Sequence, residues 1–148
     1  MAKPGGKRVK SQRFNVGSSG DEFFDQRNKL VFSFEYYQLR QGGWCLSELP
    51  HHRVYEALSD LRDLNQKTLG ELAMNAGDLH YHPIDWTMTS EQDGFGDSPV
   101  AGLDAFQVAL PRVSNNGPHG SSSCRLIGAI AETTFYVVWV DIHHRLFG

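Results

Sequence analysis

Arg125 and the pair His143 and His144 are the residues of this chain whose types and spacing point most directly to chemistry. The arginine opens one apolar segment, residues 125–130. The histidines, 18 and 19 positions further on, close a second, residues 135–141, and Arg145 follows at once. Two such segments read as a β-hairpin, which brings the end of the second strand beside the start of the first. A permanently charged guanidinium, whose planar fork matches oxyanions, would then share a sheet edge with an imidazole, whose pKa of about 6.5 suits it to move protons at neutral pH. Alternate residues of a strand face opposite ways, so only one of the two histidines is expected to reach such a site.

A second constellation competes with the first. His80 and His82 place two imidazoles on one strand face, and Asp85, Asp141, His143 and His144 could complete a metal site. Zinc takes three or four His, Cys or carboxylate ligands oriented by partners behind them, and such a centre would make the chain a metal-dependent hydrolase. The spacing permits this without requiring it, and the leading reading needs no metal or other cofactor. Cys45 and Cys124 lie far apart and outside any Cys-x-x-Cys pattern, which excludes a zinc ribbon or a disulfide framework.

Charge narrows where an anion could bind. The net charge of −3 conceals a tail of five basic residues in positions 1–20 and a remainder with 9 basic against 17 acidic side chains. A polyanion is repelled by an acidic body, so any contact with nucleic acid must be local. Residues 105–148 hold Arg112, Arg125 and Arg145 against only Glu132 and Asp141, with His119, His143 and His144 as latent positive charge. This C-terminal third is where an anionic ligand would be welcome. Lys7, Arg8 and Lys10, in a stretch of Gly, Ser, Lys and Arg too polar to offset its ordering entropy, belong to an expected disordered basic arm, residues 1–20. Residues 21–148 are expected to form one domain.

The elements that must position these groups follow from periodicity. Residues 30–38, with Phe32, Phe34 and Tyr36 on one face, predict a first strand. Pro50 begins a helix in which Val54, Leu58 and Leu61 recur at helical spacing to about Asn65. A shorter helix is expected over 67–75, with Gly77 as its stop. Residues 79–86 alternate but contain Pro83, which suits an edge strand. Residues 87–102 read as a long polar loop, 103–110 as a half-exposed strand closed by Pro111, and 114–123 as a flexible connection before the final hairpin. The fold class is α+β: β-α-α followed by an antiparallel sheet of three to four strands, with helices packed on one face.

This order of elements, together with Arg125-Leu-Ile-Gly, Phe135-Tyr-Val-Val-Trp and the His143-His144-Arg145 ending, resembles the RelE/YoeB/HigB-like toxins of bacterial toxin–antitoxin systems. The resemblance implies a RelE-like sheet whose open face cleaves messenger RNA, and an antitoxin that silences it. Arg125 would stabilise the transition state and a near-terminal histidine, His143 or His144, would act as general acid. Arg145, Arg112, Lys7, Arg8 and Lys10 would bind substrate. RNA carries its own nucleophile in the 2′-hydroxyl, so a base, a cation and an acid suffice. Glu35, Asp85 and Glu132 are candidate bases. The acidic body and the long 114–123 connection depart from the family's pattern.

A non-enzymatic reading stands beside this one. Aromatic residues Phe23, Phe24, Tyr36, Tyr37, Trp44, Trp86 and Phe95, if exposed, would suit a small adapter or inhibitor that docks on a larger protein partner. No run of about 20 apolar residues is present, so no membrane partner and a cytoplasmic location are expected.

Overall fold

The computed structural model describes residues 28–40, 42–115 and 124–147. The basic arm, with Lys7, Arg8 and Lys10, and most of the 114–123 connection lie outside the described residues, as do Phe23 and Phe24. Among the described residues are five strands and four α-helices. In chain order they are β1 (Val31–Ser33), α1 (His51–Leu64), α2 (Leu69–Met74), α3 (Ala76–Leu79), β2 (His82–Pro83), β3 (Asp104–Ala109), α4 (Pro111–Asn115), β4 (Arg125–Ala131) and β5 (Thr134–Asp141). The chain is thus mixed α+β, and no described helix is long and apolar enough to cross a membrane.

The strands form one sheet in the order β1-β5-β4-β3-β2. Four of them run antiparallel to their neighbours as expected, whereas β1 lies parallel to β5, with Val31 opposite Thr134. The first strand is also shorter than the alternation of residues 30–38 predicts. After Ser33 the chain turns, with Tyr37 N–H donating to Phe34 O at 3.1 Å, and the aromatic side chains serve packing rather than a ladder. Pro83 holds β2 to two residues at the sheet edge, for want of a ladder donor.

Helix limits follow local chemistry. The first helix spans the residues that periodicity indicates. The second begins at a capping box in which Thr68 Oγ1 accepts from Glu71 N–H and Glu71 returns the bond to Thr68 N–H. Gly77 does not stop it; the chain makes one more helical turn, and His80, at φ 49°, takes the left-handed position that ends it. Pro111 opens the short α4 rather than merely closing β3.

Two apolar layers sandwich the sheet. On one face, Ala57, Leu64 and Leu72 of the helices pack on Val108, Leu126, Phe135, Val137 and Val140. The opposite face, which the half-exposed reading of residues 103–110 would leave open on β3, is covered by residues 84–103 and the C-terminal tail around Trp44, Phe95, Ile127 and Trp139. Phe95, Trp44 and Trp86 surround Trp139 with centroids 5.2, 5.5 and 6.1 Å away, and Arg40 lies over both Trp44 and Trp139. Trp44 and Phe95 are therefore core residues, and Tyr36, Tyr37 and Trp86 are half-buried. The exposed aromatic surface on which an adapter reading relied is not formed by them.

A bulge in β5 fixes which side chains reach this second layer. Ile127 pairs with Trp139 but Gly128 with Val137, leaving Val138 as the extra residue. Phe135 and Val137 face the helices, as do Val140 and Ile142, so the bulge turns Trp139 and Asp141 the other way. Only glycine fits opposite it, because a Cβ on residue 128 would stand 2.1 Å from Tyr136 O.

Candidate functional site

Arg125 begins β4 opposite Ala109 of β3 and Asp141 of β5, on the face away from the helices. The residue is 2 % exposed. Its Nη1 donates to Cys124 O at 3.3 Å, but its Nε finds no hydrogen-bond partner. Burial pulls the guanidinium pKa down, against the opposing pull of Cys124 and Asp141, and the same burial pushes the Cys124 thiol up to about 12. An arginine starts from so high a pKa that it stays charged, and a buried cation with an unmade hydrogen bond is costly.

Asp141 is fully buried beside it and is occupied with another task. Its Oδ1 and Oδ2 accept the backbone N–H groups of Arg145 and Leu146, each at 2.8 Å, folding the tail back over the sheet. Ser90 fastens the same tail from the opposite side, donating N–H to Leu146 O at 2.9 Å and its hydroxyl to Arg145 O at 3.1 Å. The covering loop is thereby tied to the chain end.

This clamp separates the three residues of the His143-His144-Arg145 ending. His144 is half-buried, and its neutral form is favoured first by burial and then by the charge of Arg125. His143 is exposed on the other side of the tail, against Gly43, where a Cβ would come within 2.8 Å of the imidazole. Arg145 turns the same way and donates to Gly42 O. His144 is thus the histidine of the pair within the electrostatic reach of Arg125; the two lie beyond the end of β5, and the turn there, not strand alternation, separates them.

The structure adds imidazoles that the sequence placed elsewhere. His80 also has its pKa lowered, by burial and then by Arg125, and His82 acts on both His80 and His144. The ring of Phe147 sits between His82 and His144, 5.5 and 6.3 Å from their centroids. Three described non-glycine residues adopt a positive φ, and two of them are His80 (49°) and His144 (56°). Such backbone strain persists only where surroundings enforce it, and it concentrates at functional sites. The metal reading used these same histidines, yet among the described residues no three His, Cys, Asp or Glu side chains stand close enough to hold an ion.

Gln107 is the residue that alternation alone misplaced. It reads as the polar, outward side of β3 but is 1 % exposed, paired with His82 on one side and Ile127 on the other. Its Nε2 donates to His80 O at 3.3 Å, while its Oε1 has no partner. A buried glutamine in an otherwise apolar strand next to a His-x-His edge was the available signal.

The remaining candidates lie apart from this cluster. Arg112 is on the helical side of the sheet, where Asp60 accepts its backbone N–H at 3.0 Å and its Nη1 at 3.1 Å, and Asp63 adds a second ion pair. Glu132 occupies the β4–β5 turn, at the far end of β4 from Arg125 and roughly 20 Å away at strand rise. Asp85 caps its own turn, accepting from Thr87 N–H and hydroxyl at 3.1 and 2.7 Å, which holds its carboxyl below the usual range. Glu35 is exposed beyond the end of β1.

No protein-family model, curated protein or solved structure matches this chain. Function must therefore be read from the chemistry of the cluster.

Proposed function

We propose that the chain is a toxin-type ribonuclease, RelE-like in shape, that cleaves RNA by metal-independent acid–base chemistry at Arg125, His144 and His80. One observation carries this reading: a buried arginine with an unpaired Nε lies within the electrostatic reach of two imidazoles held on left-handed backbone. A buried cation that leaves its Nε–H unbonded costs stability that a structural role would not need. A phosphate group would satisfy it.

The roles follow from the environments. His144, kept neutral by burial and by Arg125, takes the proton of the 2′-hydroxyl. The freed oxygen attacks phosphorus, giving a 2′,3′-cyclic phosphate, as the bond to the 5′-oxygen breaks. His80, whose pKa burial, Arg125 and His82 lower against the pull of Asp78, is in its protonated form a stronger acid than a free imidazole, and it returns a proton to that leaving oxygen. Arg125 stabilises the charge that grows on the non-bridging oxygens, a contribution of about 3 kcal/mol for one well-placed donor. Phe147, seated between the rings of His82 and His144, must swing aside to admit the phosphate.

The test is incubation of the purified chain with labelled single-stranded RNA in chelator, with and without ribosomes. The expected products end in 2′,3′-cyclic phosphate, and His144→Gln should lower the rate by two or more orders of magnitude. An RNA with a 2′-deoxy sugar at the cut position should survive. Intact RNA under every condition would refute the assignment.

A further inference from the structure

Arg125 Nε and Gln107 Oε1 are the buried side-chain atoms of the described residues left without a hydrogen-bond partner, and the sheet places them together. Ala109 pairs with Arg125, and Gln107 lies two residues before Ala109 on the same face of β3. The two side chains are thus diagonal neighbours across one strand pair, a separation that long side chains span. His82 flanks Gln107 from the next strand, and the field of Arg125 reaches His80, whose carbonyl holds the other end of the Gln107 amide.

That last bond settles what the amide offers. A carbonyl accepts only from the NH2 end, so Nε2 must face His80 O and Oε1 must face away from it. Beneath the tail, these two buried atoms offer one donor, Arg125 Nε–H, and one acceptor, Gln107 Oε1. An anion alone would leave the glutamine unsatisfied, and a neutral donor alone would leave the guanidinium so.

We propose that Gln107 is a specificity residue whose Oε1 accepts a hydrogen bond from the ribose 2′-hydroxyl while Arg125 binds the adjacent 3′-phosphate. The proposal rests on the ribonuclease reading and sharpens it, because it makes discrimination between RNA and DNA a property of binding and not only of the nucleophile. A hydroxyl next to a phosphate on one five-membered ring supplies the required donor beside the required acceptor. Gln107 Oε1 holds the hydroxyl proton on binding, and that single proton must turn from Oε1 to His144 before the oxygen attacks phosphorus.

The experiment measures equilibrium binding of adenosine 3′-monophosphate, its 2′-deoxy counterpart and inorganic phosphate to the full chain, none of which can be cleaved by the proposed reaction. The wild type should prefer the ribonucleotide by roughly tenfold, the value of one well-made hydrogen bond to a buried group. Gln107→Met, close in size but unable to accept, should bring that ratio near one while leaving phosphate affinity unchanged, the latter serving as evidence of an intact site. Arg125→Met should abolish binding of all three. A ratio that survives in Gln107→Met, or a wild type that binds phosphate without preferring the ribonucleotide, would overturn the proposal, as would failure of all three ligands to bind. A tenfold preference lost in Gln107→Met, but accompanied by no RNA cleavage, would uphold the recognition role and refute the nuclease.

Discussion

The carboxylate of Asp141 accepts the backbone N–H of Arg145 at 2.8 Å and so holds the chain end against the sheet. With the matching bond from Leu146 N–H, a single buried side chain fixes the backbone that carries both Phe147 and His144. Nothing else joins the end of β5 to its own tail so directly.

Asp141→Ala should therefore lower stability by about 3 kcal/mol, because it orphans two backbone donors in a buried setting and removes the negative charge nearest Arg125. Asp141→Asn, which retains one acceptor oxygen, should cost about half as much. Urea denaturation measures both, and amide shifts of residues 143–147 would report release of the tail.

Arg125→Met tests the opposite balance. Asp141 is already satisfied by two N–H groups and forms no ion pair with Arg125 among the described contacts, so the arginine's burial cost is largely uncompensated. The variant should be as stable as the wild type or more so, by up to about 2 kcal/mol, while losing phosphate binding. A thermal melt with and without phosphate reads both effects. A large loss of stability would make Arg125 a structural residue.

Backbone conformation gives a separate handle on His144. At φ 56° the residue sits where glycine is free of the Cβ clash that other residues suffer. His144→Gly should thus be more stable than His144→Ala by about 1 kcal/mol, although both lack the imidazole and should be equally inactive. Paired denaturation curves decide it. Equal stabilities would mean that the tail relaxes out of the strained geometry.

The pH response follows from the lowered pKa values of His144 and His80. Below about 6.5 the unfolded chain takes up protons that the folded state resists. Their contribution is complete above that pH and declines as pH falls toward the depressed folded values. The stability difference between wild type and His80→Gln/His144→Gln should shrink in the wild type's disfavour as pH drops from about 7 to about 5. A pH-independent difference would place both rings in ordinary solvent.

How far the sequence revealed this can be judged element by element. The helical period over residues 51–64 and the apolar runs of β4 and β5 are strong local signals, and those elements lie where they were expected. β1 falls short because the chain turns after Ser33, with Phe34 against Tyr37 three residues on, and β2 because Pro83 lacks a ladder donor. The second core has no periodic signature: it is built from Trp44, Phe95 and Trp139, brought together by loops around one central strand. The site divides along the same line. The hairpin, which a sequence displays, brings the end of β5 beside Arg125, whereas the tail fold that turns His144 toward it and the sheet order that adds His80 and Gln107 are not displayed.

The extra residue in β5 has a final implication for how this strand tolerates changes of length. Removing Val138 would restore uninterrupted alternation and still direct Trp139 and Asp141 to their present sides; removing a second residue before Trp139 would send the carboxylate, and with it the whole chain end, across to the helices. The strand can be shortened by one residue without exchanging inside for outside, but not by two.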